Sequence, residues 1–189
     1  MPELIKRKPI RLKNHDYSLN GYYFITICSK DRQNVFGEII NDKKSVGANG
    51  CWPDNNVKIK LNPFGLIVDE ELKNTGNIRN EIKLDRYIIM PNHLHCIIII
   101  QRNLTGGRPS APTYNINQKH TLSSFVSGFK SIVTKRINIL RNTPRKPVWQ
   151  RYFYDHIIRN DKSLGQIRQY IINNPSTWAE DKENLMPFR

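Results

Sequence analysis

Two histidines spaced by one residue, His93 and His95, stand in "YIIMPNHLHCIIII" (87–100), a stretch otherwise almost wholly apolar. A buried neutral imidazole needs hydrogen-bond partners, and a buried charged one costs more still. Side chains alternate along a strand, so His93, His95, Ile97 and Ile99 share one face while Leu94, Cys96, Ile98 and Ile100 share the other. The two imidazoles then stand ~7 Å apart at Cα, and their nitrogens can converge on one ion. His-x-His recurs in several unrelated metal sites and hydrolases, so the pair alone names no chemistry. Position 97 is Ile97, and no HExxH or Cys/His cluster completes a zinc site. A third ligand must come from elsewhere.

The last helical segment offers one. Tyr170 and Asn174 are four residues apart, which puts them on one helix face. They continue the apolar stripe of Leu164, Ile167 and Ile171, which must face the core. Tyr170 can be a packing aromatic there, and Asn174 a cap before Pro175. In the other reading, Asn174 lends an oxygen to the metal and Tyr170 points its hydroxyl at the same place.

The elements that would position these groups follow from pattern. "GYYFITIC" (21–28), "VFGEIIN" (35–41) and "NVKIKLN" (56–62) read as strands, being rich in aromatic and β-branched residues. Asn62-Pro63 opens a helix as N-cap and first position, with Phe64, Ile67, Val68 and Leu72 at helical spacing. "IKLDRYIIM" and "HLHCIIII" are strands broken at Pro91-Asn92, where a bulge or corner is expected. A helix from about Thr121 to Leu140 carries the stripe Leu122, Phe125, Val126, Phe129, Val133, Ile137 and Leu140. "YFYDHIIR" is a short strand, and Ser163 caps a last helix that Pro175 ends. The fold class is α+β: an antiparallel sheet with helices packed on one face, close to the split βαβ, ferredoxin-like plan. The chain divides into a basic arm over 1–20, one domain over 21–178 and a tail over 179–189. Loops 42–53 and 103–118 are inserts with no role legible in their residues.

The chain has 189 residues and a formal charge of +14. No acidic residue occurs between Asp85 and Asp155, a window that holds eleven basic ones. Among them Lys130, Lys135, Arg136, Arg145, Lys146 and Arg151 are the candidates for phosphate contact. Such a surface fits a polyanion, and nucleic acid is the natural one. A membrane is disfavoured, since no anchor helix stands out and no apolar run approaches the ~20 residues that span a bilayer. Cys28, Cys51 and Cys96 lack CxxC spacing, which points to reduced thiols and a cytoplasmic setting.

Four stretches carry a resemblance: "GYYFITICSKDRQNVFGEI", "YIIMPNHLHCIIII", "LSSFVSGFKSIVTKRIN" and "VWQRYFYDHIIRNDKSLGQIRQYIINNPSTW". Together they span about residues 16–178, and "MPNHLH" followed by "WQR", "YDHIIR" and "NNP" is specific. The sequence resembles the HUH single-tyrosine transposases, and within them the REP-associated tyrosine transposase branch. That resemblance implies His93 and His95 as metal ligands, Tyr170 as nucleophile and Asn174 as third ligand. It implies a divalent ion, Mg²⁺ or Mn²⁺, and single-stranded DNA with hairpin structure as partner. The implied activity is cleavage and strand transfer through a 5′-phosphotyrosine, on palindromic repeats. A monomer or a homodimer fits equally. Two other classes stay open: a non-catalytic binder of structured single strands, and a metal-dependent phosphodiesterase with water as nucleophile.

The acid-free window sets the first test. Binding to single-stranded DNA should weaken steeply with salt, as several counterions are released. A flat salt titration would rule out a polyanion surface.

Overall fold

The computed structural model describes residues 15–41, 57–102 and 121–178. Most of the basic arm, the inserts 42–53 and 103–118, the tail 179–189 and Cys51 lie outside the described residues. Four strands form the main sheet: β1 (Gly21–Cys28), β4 (Ile82–Ile89), β5 (His93–Ile100) and β6 (Tyr154–Ile158). Their order is β4-β5-β1-β6, antiparallel throughout. β2 (Gly37–Asn41) and β3 (Val57–Leu61) pair as a separate hairpin. The helices are α1 (Pro63–Lys73), the short α2 (Thr75–Ile78), α3 (Leu122–Leu140) and α4 (Asp161–Asn173).

The chain therefore has the expected α+β plan, an antiparallel sheet with helices packed on it. The helices divide between its faces. α1 and α3 cover one face, where Tyr23, Ile25 and Ile27 of β1 and Leu94, Cys96, Ile98 and Ile100 of β5 meet Val68, Leu72, Phe129 and Val133. α4 takes the other, where Leu164 and Ile171 pack on Phe24, Ile97 and Ile158. The alternation along β5 is what separates the two cores, and it puts both histidines on the α4 side. Among the described residues no helix is long and apolar enough to cross a membrane, and Cys28 and Cys96 are buried and form no disulfide.

Local chemistry explains the boundaries. Asn62 caps α1 by accepting from the N–H groups of Phe64 and Gly65. Gly65 is required there, because a Cβ would collide with the Phe36 carbonyl. Thr121 and Ser124 close a capping box on α3. Three expectations are corrected. The helices pack on both faces of the sheet rather than on one. Asn160, not Ser163, caps α4, its side chain accepting from the Ser163 N–H; Ser163 is the third residue of the cap, not the first. Leu140 is exposed rather than part of the α3 stripe, because it sits in the last turn beyond the sheet. The corner expected at Pro91-Asn92 is a tight turn, closed by the Met90 N–H on the His93 carbonyl at 2.8 Å, and a separate bulge lies in β4 between Leu84 and Tyr87.

The return from α3 to β6 is pinned by one side chain. The Lys130 ammonium, on α3, donates to the carbonyls of Gln150, Arg151 and Tyr152 at 2.9, 3.4 and 3.2 Å. Burial pulls its pKa down to about 8. Lys130→Met keeps the stem and removes those donors, so it should lower stability in a urea titration by roughly 1–3 kcal/mol. An unchanged midpoint would show that water replaces the ammonium without cost.

Candidate active site

The two histidines sit at the start of β5, immediately after the tight turn. His93 is 0% exposed and His95 2%, and their ring centroids are 4.4 Å apart. Each surrenders one nitrogen to a fixed neighbour. Asn92 donates through its amide nitrogen to the Arg32 carbonyl at 3.2 Å, which turns its oxygen toward His93 Nδ1 at 2.8 Å. That oxygen only accepts, so His93 Nδ1 carries the proton and Nε2 keeps its lone pair. His93 Nε2 is buried with no hydrogen-bond partner among the described residues. Burial first, and the nearby Arg32 guanidinium second, hold the His93 pKa down at about 3, so the ring is neutral at ordinary pH. His95 Nδ1 is 2.8 Å from Thr26 Oγ1, its cross-strand neighbour on β1. A hydroxyl can donate or accept, so this contact orients the ring without fixing its tautomer; the ring's other nitrogen is Nε2. It is 3.2 Å from the Tyr170 hydroxyl.

Such outer partners fix ring orientation and tautomer in histidine metal sites generally. The loop behind them is strained for the purpose. Asp31 and Arg32 hold left-handed φ values of 56° and 52°, a conformation costing a non-glycine residue about 1 kcal/mol or more. It brings the Arg32 carbonyl to Asn92. Ser29 N–H and Phe36 N–H donate to the carbonyls of Asn92 and Pro91 at 2.8 and 3.0 Å, tying the turn down on both sides.

Tyr170 and Asn174 arrive from α4. The helix follows β6 after only Arg159 and Asn160, so it packs on its own chain's sheet. Tyr170 lies at the margin of the apolar stripe rather than inside it, 44% exposed, with its ring edge-on to Phe24. Asn174 is the C-cap of α4 and 1% exposed. It is bracketed by Tyr170, which touches His95, and Trp178, whose ring lies 5.8 Å from His93. Among the described residues no group of three His, Cys, Asp or Glu side chains could hold an ion. Asn174, one helical turn after Tyr170, carries a neutral side-chain oxygen and is buried. Two imidazole nitrogens, one of them buried without a partner, and an amide oxygen fit a divalent cation with open positions.

Sequence reasoning missed Asn92, Thr26 and the group that sets α4 itself. The β4 bulge adds one residue opposite Ile97 and presents Asp85 to α4. There Asp85 forms a two-point ion pair with Arg168, Nε to Oδ2 at 2.8 Å and Nη2 to Oδ1 at 3.0 Å. Arg168 is two residues before Tyr170, on another flank of the helix, so the pair fixes the rotation of α4 about its axis.

The basic candidates are not gathered at the histidines. Lys130, Lys135 and Arg136 are on α3, behind the sheet. Lys130 is held by carbonyls as described, and Arg136 pairs with Glu70 and Glu71. Arg145 and Lys146 are exposed on the connection after α3. Arg151 lies over the Tyr152 ring at 5.5 Å.

The chain is 37% identical over 183 residues to an uncharacterized protein of Haemophilus influenzae, covering 93% of this chain and 92% of the relative. A second protein of that organism, named "Putative REP-associated tyrosine transposase", is 24% identical over 164 residues, 85% of this chain and 73% of its own length. The solved structure of a REP-associated tyrosine transposase bound to a REP hairpin shares the fold, with a TM-score of 0.51 at 17% identity over 94% of this chain and 81% of that one. No protein-family model matches the chain.

The Asp85–Arg168 pair generates a local test. Asp85→Asn should speed amide exchange in α4 while leaving α3 unchanged, and the exchanged pair Asp85→Arg with Arg168→Asp should restore protection. Equal exchange in wild type and Asp85→Asn would mean that the apolar contacts alone seat the helix.

Proposed function

The chain belongs to one family with the 37% identical Haemophilus influenzae protein and resembles the REP-associated tyrosine transposases in sequence and fold, and from that premise we propose that it cleaves and rejoins single-stranded DNA beside hairpins, as an HUH-type enzyme. The observation that carries the reading is the Tyr170 hydroxyl, half-exposed and 3.2 Å from Nε2 of one of two paired, buried imidazoles. A purely packing tyrosine has no need of that placement. The hairpin seen with the solved structure of the same fold supports hairpin DNA as the partner class.

In this reading Tyr170 Oη attacks the scissile phosphorus. The new Tyr–O–P bond forms as the P–O3′ bond breaks, and the tyrosyl proton ends on the departing 3′ oxygen. The 5′ phosphate stays on the protein. Attack by another 3′-OH reverses these steps on a new strand, with no nucleotide consumed. His93 and His95, through Nε2, and Asn174, through its side-chain oxygen, are the groups that would hold a divalent cation, Mg²⁺ or Mn²⁺. When bound, the cation supplies polarisation of the non-bridging phosphate oxygens. Asn92 sets the tautomer of His93, and Thr26 orients the ring of His95. Asp85 and Arg168 hold the angle from which Tyr170 approaches.

The test uses labelled single strands from the DNA flanking the gene, a divalent cation and denaturing electrophoresis. Wild type should yield a covalent adduct that retains the DNA on the 3′ side of the break. Tyr170→Phe keeps the ring and should alter stability by roughly 1 kcal/mol or less. It should still bind DNA and form no adduct. His95→Ala should also abolish cleavage. Adduct from Tyr170→Phe would move the nucleophile to Tyr154 or Tyr152, and cleavage by wild type without adduct would make water the nucleophile.

A further inference from the structure

α4 covers only part of the sheet face that carries the histidines. Its apolar residues seat on Ile97, Phe24 and Ile158, and Arg168 reaches out to Asp85 on β4. The β6 side near the histidines is left bare. Along β6, Tyr154, His156 and Ile158 alternate with Asp155 and Ile157. Ile157 packs into the core under α3, so Asp155 shares that face, and the other three residues face the site. Ile158 is covered where the chain turns into α4. Tyr154 is 52% exposed and His156 is exposed as well. Register places Tyr154 opposite Thr26, and Thr26 opposite His95. Tyr154 therefore stands in the row of His95, two strands away, ~10 Å at the usual strand spacing. That is about three steps of stacked nucleotides at ~3.4 Å each.

We propose that Tyr154 and His156, with Tyr152 at their approach, form a stacking platform for the unpaired nucleotides next to the phosphate at Tyr170. This rests on the function proposed above and names the part of the DNA that the open half of the site takes. Three further observations carry it. Tyr152 is 58% exposed, so two aromatic rings meet solvent beside the site, and aromatic faces accept any base. The cations Arg151, over the Tyr152 ring at 5.5 Å, and Arg159 flank them, while the one carboxylate of β6, Asp155, is buried on the opposite face. The segment is also rigid before any ligand arrives, because Lys130 binds the carbonyls of Gln150, Arg151 and Tyr152. A platform ordered in advance loses little entropy on binding. Stacking gives affinity without base identity, so the platform reads strandedness, and any sequence preference has to come from other contacts.

The probe is a DNA hairpin from the gene's flanks with an unpaired stretch on each side, carrying 2-aminopurine at each unpaired position in turn. The control is the same hairpin without unpaired stretches. Wild type should quench 2-aminopurine at a few adjacent positions on one side. Tyr154→Ala should remove the quenching and weaken binding of the flanked hairpin by roughly 5- to 100-fold, with binding of the control unchanged. Tyr154→Phe should keep both properties, and His156→Ala should lose part of them. An unaltered melting temperature in Tyr154→Ala shows that the edge strand still forms. Absence of quenching by wild type, unchanged behaviour of Tyr154→Ala, or equal loss on both DNAs would each overturn the platform. Adduct formation without quenching overturns the platform alone. Quenching without adduct overturns the chemistry assigned to Tyr170 and leaves the platform standing.

Discussion

Two imidazoles stand side by side inside this sheet, and each gives one nitrogen to a fixed partner. Much of this fold answers to that constraint. The partner of His93 is Asn92, the residue before it, and Asn92 is itself oriented by a carbonyl from the left-handed turn at Asp31 and Arg32. The partner of His95 is Thr26, supplied by the neighbouring strand. A one-residue slip of β1 against β5 would remove the threonine and turn the histidines' neighbours over to the other face. The large core beneath β1 and β5 is what makes such a slip costly. Packing on one side of the sheet thus secures hydrogen bonding on the other.

The two faces are built to different standards. Behind the sheet, α1 and α3 bury an extensive apolar layer. In front, a small cluster and one ion pair seat α4. The histidines are already buried beneath that front layer, and Tyr170 is the residue of the site that meets solvent. The thin front layer leaves Tyr170 half in solvent while its hydroxyl stays on His95. Because apolar contact along one stripe resists sliding better than rotation, a two-point ion pair on the flank is a physically apt complement. The bulge that delivers Asp85 is an instance of an irregular strand residue re-aiming a side chain beside a site.

Periodicity made most of the elements legible, because each strand and helix carries its own apolar pattern. β1 and β5 have the expected residues, and the stripes of α1 and α3 are buried apart from the half-covered Phe64 and the exposed Leu140. The spacing of His93, His95, Tyr170 and Asn174 also implied shared faces, and the fold brings Tyr170 to His95. What remained hidden are groups whose role depends on long-range register. Thr26 and His95 are 69 residues apart, and Asp85 and Arg168 are 83 apart. Nothing local marks either pair. Asn92 was hidden differently: Pro-Asn reads as a turn, and the turn accounts for the asparagine before its side chain is considered. The basic residues show the limit of a linear pattern. A run free of acids describes sequence, while Arg136 meets Glu70 and Glu71 from a helix that precedes the run.

The donor set has a consequence for how substrate and cation meet. Two imidazoles and one amide bring no negative charge, whereas sites that hold hard cations unaided use carboxylates. Asp85, a carboxylate on the same side of the sheet, is neutralised by Arg168. Little negative charge is then left to repel a phosphate or to hold a cation strongly in its absence. In the proposed function a DNA phosphate would bring the negative charge that these residues lack. Charge balance at such a site would then depend on the strand, which would tie cutting to the presence of a correctly placed phosphate.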